Sequence, residues 1–205
     1  MSRDPTRIEP LGEPARLQTP RLALRPWEDA DRAPFAALNA DPEVMRHFPS
    51  VLTREASDRS FDAWSADFAR RGWSNWAVAL RDADGDVHPA GTFIGFVGLT
   101  IPWRTLPFTP CVEIGWRLAR AHWHRGYATE AAREALRFGF VRLGLDEIVS
   151  FTARTNTPSQ AVMQRIGMID SGEDFDHPAL PEGSPLRRHC LYRLGRGRWL
   201  SSAAG

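Results

Sequence analysis

Hydrophobic and polar positions along the chain change period several times, and each change marks an element. Residues 1–16 carry Pro5, Pro10, Gly12 and Pro14 without apolar periodicity, which predicts an extended arm. Leu22 and Leu24 alternate with Arg21 and Arg25, so a strand is predicted over residues 17–27. From Glu28 the pattern turns helical, with Phe35, Leu38 and Met45 apolar and Asp41-Pro42 breaking two helical pieces; a second helix is predicted over residues 53–71. Residues 75–80 and 92–101 read as strands joined by a turn at 82–91, where Asp84-Gly85 favours a hairpin. In the next strand, residues 111–119, Val112, Ile114, Trp116 and Leu118 face one way and Glu113 and Arg117 the other. The strongest helix spans 127–143, with Ala128, Ala131, Ala132, Ala135 and Leu136 on one face and Gly144 as terminator. A strand at 147–153, a short helix at 158–166 and strands near 168–175 and 189–194 complete the chain.

This order predicts a mixed α/β fold of the α+β type. Its sheet has six or seven strands, mostly antiparallel, flanked by helices, with one parallel pair formed by the 111–119 and 147–153 strands across the long helix.

Composition narrows the chemistry. The chain has 205 residues, 42% of them hydrophobic and 25% charged, which suits one globular domain with short appendages. A net charge of +1 gives no electrostatic footprint for nucleic acid or an anionic membrane. All 26 basic residues of the Lys+Arg count are arginine, so chemistry that requires a lysine, such as a pyridoxal Schiff base or a phosphate-loop ammonium, is excluded. Cys111 and Cys190 lack the spacing of a zinc or redox motif and read as buried small residues; no metal is expected. The first residues are charged and proline-rich where a signal peptide needs an apolar run, so a soluble cytoplasmic protein is expected.

One turn stands out. In Ala121-His122-Trp123-His124-Arg125-Gly126-Tyr127-Ala128-Thr129-Glu130 a strand gives way to a helix, and Gly126 lets the backbone approach a ligand with no side chain between. Unsatisfied N–H groups and the positive end of the helix dipole suit a diphosphate, with Arg125 and the Thr129 hydroxyl as further donors. An ordinary tight strand-to-helix turn would carry the same glycine, so the turn has to be read in its wider context.

That context, CVEIGWRLARAHWHRGYATEA followed by EIVSFTARTNTPSQAVMQRIGM, closely resembles the GNAT superfamily of N-acetyltransferases, especially its RimJ/RimL-like branch, over residues 17–194. The family loop has Gln or Arg, two residues, Gly, one residue, then Gly or Ala. Here Trp123 takes the first position, as is familiar in that branch, while Gly126 and Ala128 match and His124 stands where the branch often has glycine. The resemblance implies that His124, Arg125, Gly126, Tyr127, Ala128 and Thr129 hold the pyrophosphate of acetyl-CoA. It also implies that Trp116, Arg117 and Leu118 pair through their backbone with the pantetheine arm in a cleft where the parallel pair splays. One N–H there could polarise the thioester carbonyl. Asn156 and Ser159 match positions near the cofactor, although Asn156 also suits the N-cap of the following helix. The implied layout is an N-terminal arm (1–16), an N-acetyltransferase domain (17–195) and a C-terminal tail (196–205), working as a monomer or homodimer.

Direct acyl transfer needs a neutral amine and a base but no covalent nucleophile. Glu113, on the polar side of its strand, is the candidate base, and a salt bridge to Arg117 is the competing reading. Many family members have a tyrosine general acid where this chain has Met163. Tyr192 is the candidate replacement, with a buried structural phenol as its alternative. The acceptor pocket is expected from the early helices, residues 103–110 and residues 174–189, where Asp174 and Asp176 either attract a cationic amine or cap a solvated turn. The favoured acceptor is a protein N-terminal α-amine, with a small-molecule amine or a non-catalytic acyl-CoA-binding role as alternatives. A dinucleotide-binding fold is disfavoured because the full glycine fingerprint is absent.

Overall fold

The computed structural model describes residues 8–81 and 90–203. The Asp84-Gly85 hairpin step lies outside them. The chain divides into two compact units, Glu9–Leu99 with Gly115–Ala135 (the first unit) and Thr100–Ile114 with Leu136–Gly205 and the N-terminal residues (the second).

In the first unit the strands β1 (Leu17–Gln18), β2 (Leu22–Arg25), β3 (Asn75–Leu80) and β4 (Phe93–Thr100) follow one another in the sheet, each antiparallel to the last, and β4 neighbours β5 (Glu113–Leu118). The single strand expected over 17–27 is split, because the Thr19 hydroxyl accepts from Leu22 N–H (3.0 Å) and folds Thr19-Pro20-Arg21 into a tight turn. Helices α1 (Arg32–Ala40) and α2 (Arg54–Arg71) follow. Thr53 caps α2 by accepting from Ala56 N–H at 3.2 Å. Asp41 ends α1, but the second helical piece expected around Met45 is a run of turns. At the base of the hairpin, Leu80 N–H reaches Thr92 O (3.0 Å) and Gly91 N–H reaches Leu80 O (2.7 Å).

The core of the first unit is aromatic. Trp27, Phe35, Trp64 and Phe96 pack ring to ring at centroid separations of 4.7–6.1 Å, with Phe61 and Phe93 against Trp27. Such edge and tilted pairs add about 0.5–1.5 kcal/mol each beyond burial. A bulge between Val78 and Ala79 lets β4 bend, and Gly95 makes the close approach to β5 possible: a Cβ there would lie 2.2 Å from the Arg117 carbonyl oxygen.

In the second unit β5 lies beside β6 (Glu147–Ala153), β6 beside β9 (Arg188–Gly195), and both β7 (Ile169–Asp170) and β8 (Phe175–Asp176) pair with β9. The β5–β6 pair is parallel, with Glu113 opposite Val149, whereas the β9 pairings are antiparallel. Three of the nine strands, β1, β7 and β8, have two residues each, which accounts for the excess over six or seven. Helix α3 (Tyr127–Arg137) does not continue regularly to 143. It passes into a π-helical turn over Phe138–Arg142, with Leu143 N–H reaching back five residues to Phe138 O. Helix α4 (Thr157–Arg165) and a further helix, α5 (Arg196–Ala203), complete the described chain. The segment read as a tail is thus helical, and Trp199 stacks on Phe140 at 5.2 Å.

Candidate active site

The expected donor residues gather mainly in the first unit, along β5 and into α3. Ala119 N–H donates to Ile94 O on β4 at 2.9 Å. Backbone groups alternate sides along a strand, so those of Trp116 and Leu118 point away from β4. The Leu118 carbonyl already accepts from the Trp123 indole N–H at 2.7 Å, which leaves the Leu118 N–H and both backbone groups of Trp116 on that side.

Beyond β5 the chain makes a 3-10 turn over Arg120–His122 and then reverses its handedness twice, with φ of +59° at His124 and +80° at Gly126. Left-handed residues in a turn direct neighbouring amides into a shared concavity that attracts anions. The φ at His124 is one that glycine adopts more readily than a residue with a side chain. A Cβ on Gly126 would meet only Arg21 Nη2, at 3.5 Å, so the space beside that amide is open and fits an anionic group. The start of α3 is anchored from below. Glu130 accepts from the Thr19 hydroxyl (2.6 Å), Arg21 N–H (3.0 Å) and Arg21 Nε (2.7 Å), and the Arg21 guanidinium lies 4.6 Å over the Tyr127 ring. Burial opposes ionisation of Glu130, yet these donors hold its carboxyl below the ordinary value.

The second unit carries Glu113, Asn156, Ser159 and Tyr192. Glu113 retains some surface exposure but sits among apolar neighbours, and burial alone pushes its carboxyl up to about 8. The proposed Glu113–Arg117 salt bridge is not among the ion pairs of the described residues, and Arg117 donates instead to Asn39. Asn156 is an N-cap: its side chain accepts from Ser159 N–H at 3.3 Å and donates to the Thr152 hydroxyl at 2.9 Å. Tyr192 is only 3% exposed, with its phenol oxygen accepting from Gln164 of α4 at 3.3 Å. Met163 is wholly buried.

Asp174 pairs with Arg154 (2.8 Å), and the half-exposed Asp176 pairs with Arg187 (3.3 Å) and Arg188 (3.4 Å), so both acids already have cationic partners.

Sequence reasoning missed what lies around them. Phe108, Phe151 and Phe175 pack ring to ring at 5.0–5.7 Å, and His177 and His189 stack at 4.9 Å beside Phe175. The register sets Phe151 opposite Leu191 and Ala153 opposite His189, and Cys111, Val149 and Leu191 form the buried floor beneath Phe108 and Phe151. Glu113 shares the Val149–Phe151 face of the parallel pair. Burial lowers the affinity of both imidazoles for protons, helped at His177 by His189 and Arg104 and opposed at His189 by the Arg187 carbonyl. That carbonyl, 3.0 Å from His189 Nδ1, requires a proton there and leaves Nε2 as an acceptor. The signal was present in the sequence: Phe151 and His189 share the alternation of their strands with Val149 and Leu191. Both cysteines are buried free thiols, as expected.

Comparison with known proteins identifies the family. A family described as the acetyltransferase (GNAT) domain matches residues 21–169. The chain is 33% identical over 154 residues to the uncharacterized protein YkkB of Bacillus subtilis, covering 75% of this chain and 84% of that one. It is 30% identical over 196 residues to FsC-acetyl coenzyme A-N(2)-transacetylase of Aspergillus fumigatus, covering 90% and 77%. Among solved structures, a GNAT-family acetyltransferase from Bacillus anthracis superposes with a TM-score of 0.69 at 26% identity, covering 89% of this chain and 99% of its own. Fold, turn and family match converge: the chain belongs to the GNAT family and is an acetyl-CoA-dependent N-acetyltransferase.

Proposed function

We propose that this enzyme transfers the acetyl group of acetyl-CoA directly to a primary amine, with a protein N-terminal α-amine as the favoured acceptor. The observation that carries the donor half is the turn with left-handed residues at His124 and Gly126, open beside Gly126 and leading into α3. Its amides, with Arg125 and Thr129, would hold the pyrophosphate. Trp116 and the Leu118 N–H would pair with the amide-bearing arm as a neighbouring strand does. Acetyl-CoA supplies the thioester; the chain orients it, excludes water and takes the proton that the attacking amine gives up as the C–N bond forms and the C–S bond breaks.

Glu113 is the proposed base. With its carboxyl at about 8 it is mostly protonated at pH 7 and gains its base form as pH rises through that value. An α-amine, with a pKa of about 8, matches such a base better than a polyamine or lysine amine at about 10. That match and the RimJ/RimL-like turn support the α-amine reading. A thiolate leaves without a dedicated acid, which accommodates the buried Met163 and the structural Tyr192.

The deciding experiment is a mass-resolved acetyl-transfer screen of peptides with different first residues, polyamines and amino sugars. Acetylated peptide N-termini are expected. Transfer confined to the small amines would replace the favoured acceptor, and acetyl-CoA binding without any transfer would leave the non-catalytic acyl-CoA-binding role.

A further inference from the structure

One side chain of β5 has no charge to match its own. Arg117 donates from Nη1 to the side-chain oxygen of Asn39, and its guanidinium lies 4.2 Å over the Phe48 ring and 5.4 Å from the Phe96 ring. Its Nε is sealed from solvent and has no hydrogen-bond acceptor, and no carboxylate pairs with it among the described residues. Burial pushes this guanidinium down to about 10, so it is still charged at neutral pH. Most arginines with several donors inside a fold are neutralised: Arg25, for example, forks onto Asp31 at 2.6 and 2.8 Å. Arg117 keeps some surface exposure, but its sealed Nε is a donor left without a partner, which is unfavourable.

The neighbour that could neutralise Arg117 does not. Asn39 is fully buried on α1, and its amide nitrogen is committed to the Ser57 hydroxyl of α2 at 2.9 Å, which turns its oxygen toward Arg117. Aspartate has nearly the same shape and would supply the missing charge, yet a neutral oxygen occupies the place. What Asn39 leaves unused is the Nε side of the guanidinium, the edge that together with Nη2 takes a carboxylate bidentately. Phe48, a residue 40% exposed, covers the guanidinium, so the wall that seals the Nε edge is a surface side chain whose rotation would admit a carboxylate. The backbone of Arg117 lies between Trp116 and Leu118, the residues proposed to hold the acyl donor.

We propose that Arg117 recognises a carboxylate on the acyl acceptor, and that Asn39 is kept neutral so that the acceptor provides the counter-charge. The inference rests on the reading of this enzyme as an amine acetyltransferase and narrows its acceptors to amines that carry a nearby carboxylate. A free amino acid and a peptide with an acidic first residue both offer that group.

The test compares acceptors that differ only in charge: phenylalanine against phenylalaninamide, and short peptides beginning with Asp against the same peptides beginning with Asn, with rates expressed per neutral amine. The wild-type enzyme should favour the carboxylate form in at least one pair by about tenfold or more in kcat/KM, chiefly through KM. The pair that shows it identifies the source, small molecule or peptide. Arg117→Met should bring the ratio to within about twofold. Should that variant fail to fold, Asn39→Asp decides, because it keeps the arginine and supplies an internal carboxylate; it too should abolish the preference without lowering Tm. Amine acetylation with no carboxylate preference in the wild type, or a preference that survives Asn39→Asp, overturns the inference and leaves the amine acetyltransferase reading intact. An enzyme that acetylates no amine overturns both.

Discussion

The turn of the first unit and the Glu113 face of the second are built from opposite materials. The turn is polar and tied down by charge: Glu130 accepts three hydrogen bonds from Thr19 and Arg21, and Trp123 clamps the Leu118 carbonyl. The Glu113 face is made of rings, three phenylalanines and two stacked imidazoles, with a carboxyl whose ionisation burial opposes. The contrast teaches which half is general and which is particular. Backbone amides at a helix start suit any diphosphate, whereas a cluster of rings presents a surface of one particular shape.

The largest effect that would test the contrast is on Glu113. Below about pH 6 the wild-type carboxyl is almost wholly protonated, so Glu113→Gln should approach it there. With rates expressed per neutral amine, the wild-type kcat/KM should climb as pH rises through about 8 and that of the variant should not, opening a gap of about 10²-fold by pH 9. Superimposable pH–rate profiles would remove Glu113 as the base.

On the other side, Gly126→Asp sets a carboxylate in the open space of the turn and forces a side chain onto a φ of +80°. Acetyl-CoA affinity measured by calorimetry should fall about 30- to 100-fold in a variant whose circular dichroism is unchanged, from lost amide access and charge repulsion. Undiminished affinity would move the pyrophosphate elsewhere. The smallest effect belongs to Asp176→Asn. Because Asp176 is half exposed and already paired with Arg187 and Arg188, acceptor KM should change by less than about twofold. A tenfold rise would return the loop acids to acceptor binding.

What could be read from sequence was what short-range pattern determines. The strands Asn75–Leu80 and Glu147–Ala153 have the predicted bounds, and Thr53 and Asn156 cap the helices they precede. These features depend on alternation and on caps within three residues. Where a local side chain competed with the strand, as Thr19 does, the expectation of one continuous strand failed. The donor turn was legible because its residues are consecutive. The ring cluster was only partly so: residues 103–110 and 174–189 were expected to line an acceptor pocket, but the cluster itself arises from the β6–β9 register. The pairing of Arg117 with Asn39 joins positions 78 residues apart, and its only sequence trace is a polar residue beside Leu38 on the inward face of α1.

The hydrogen bond from the Trp123 indole to the Leu118 carbonyl closes a loop of six residues. Because it is so local, it fixes the spacing between two donor anchor points without reference to the rest of the chain. The stretch from Trp116 to Thr129 can therefore act as a transferable cassette. Insertions in the loops that carry Phe48, Trp103 or His177 would leave this local spacing unchanged.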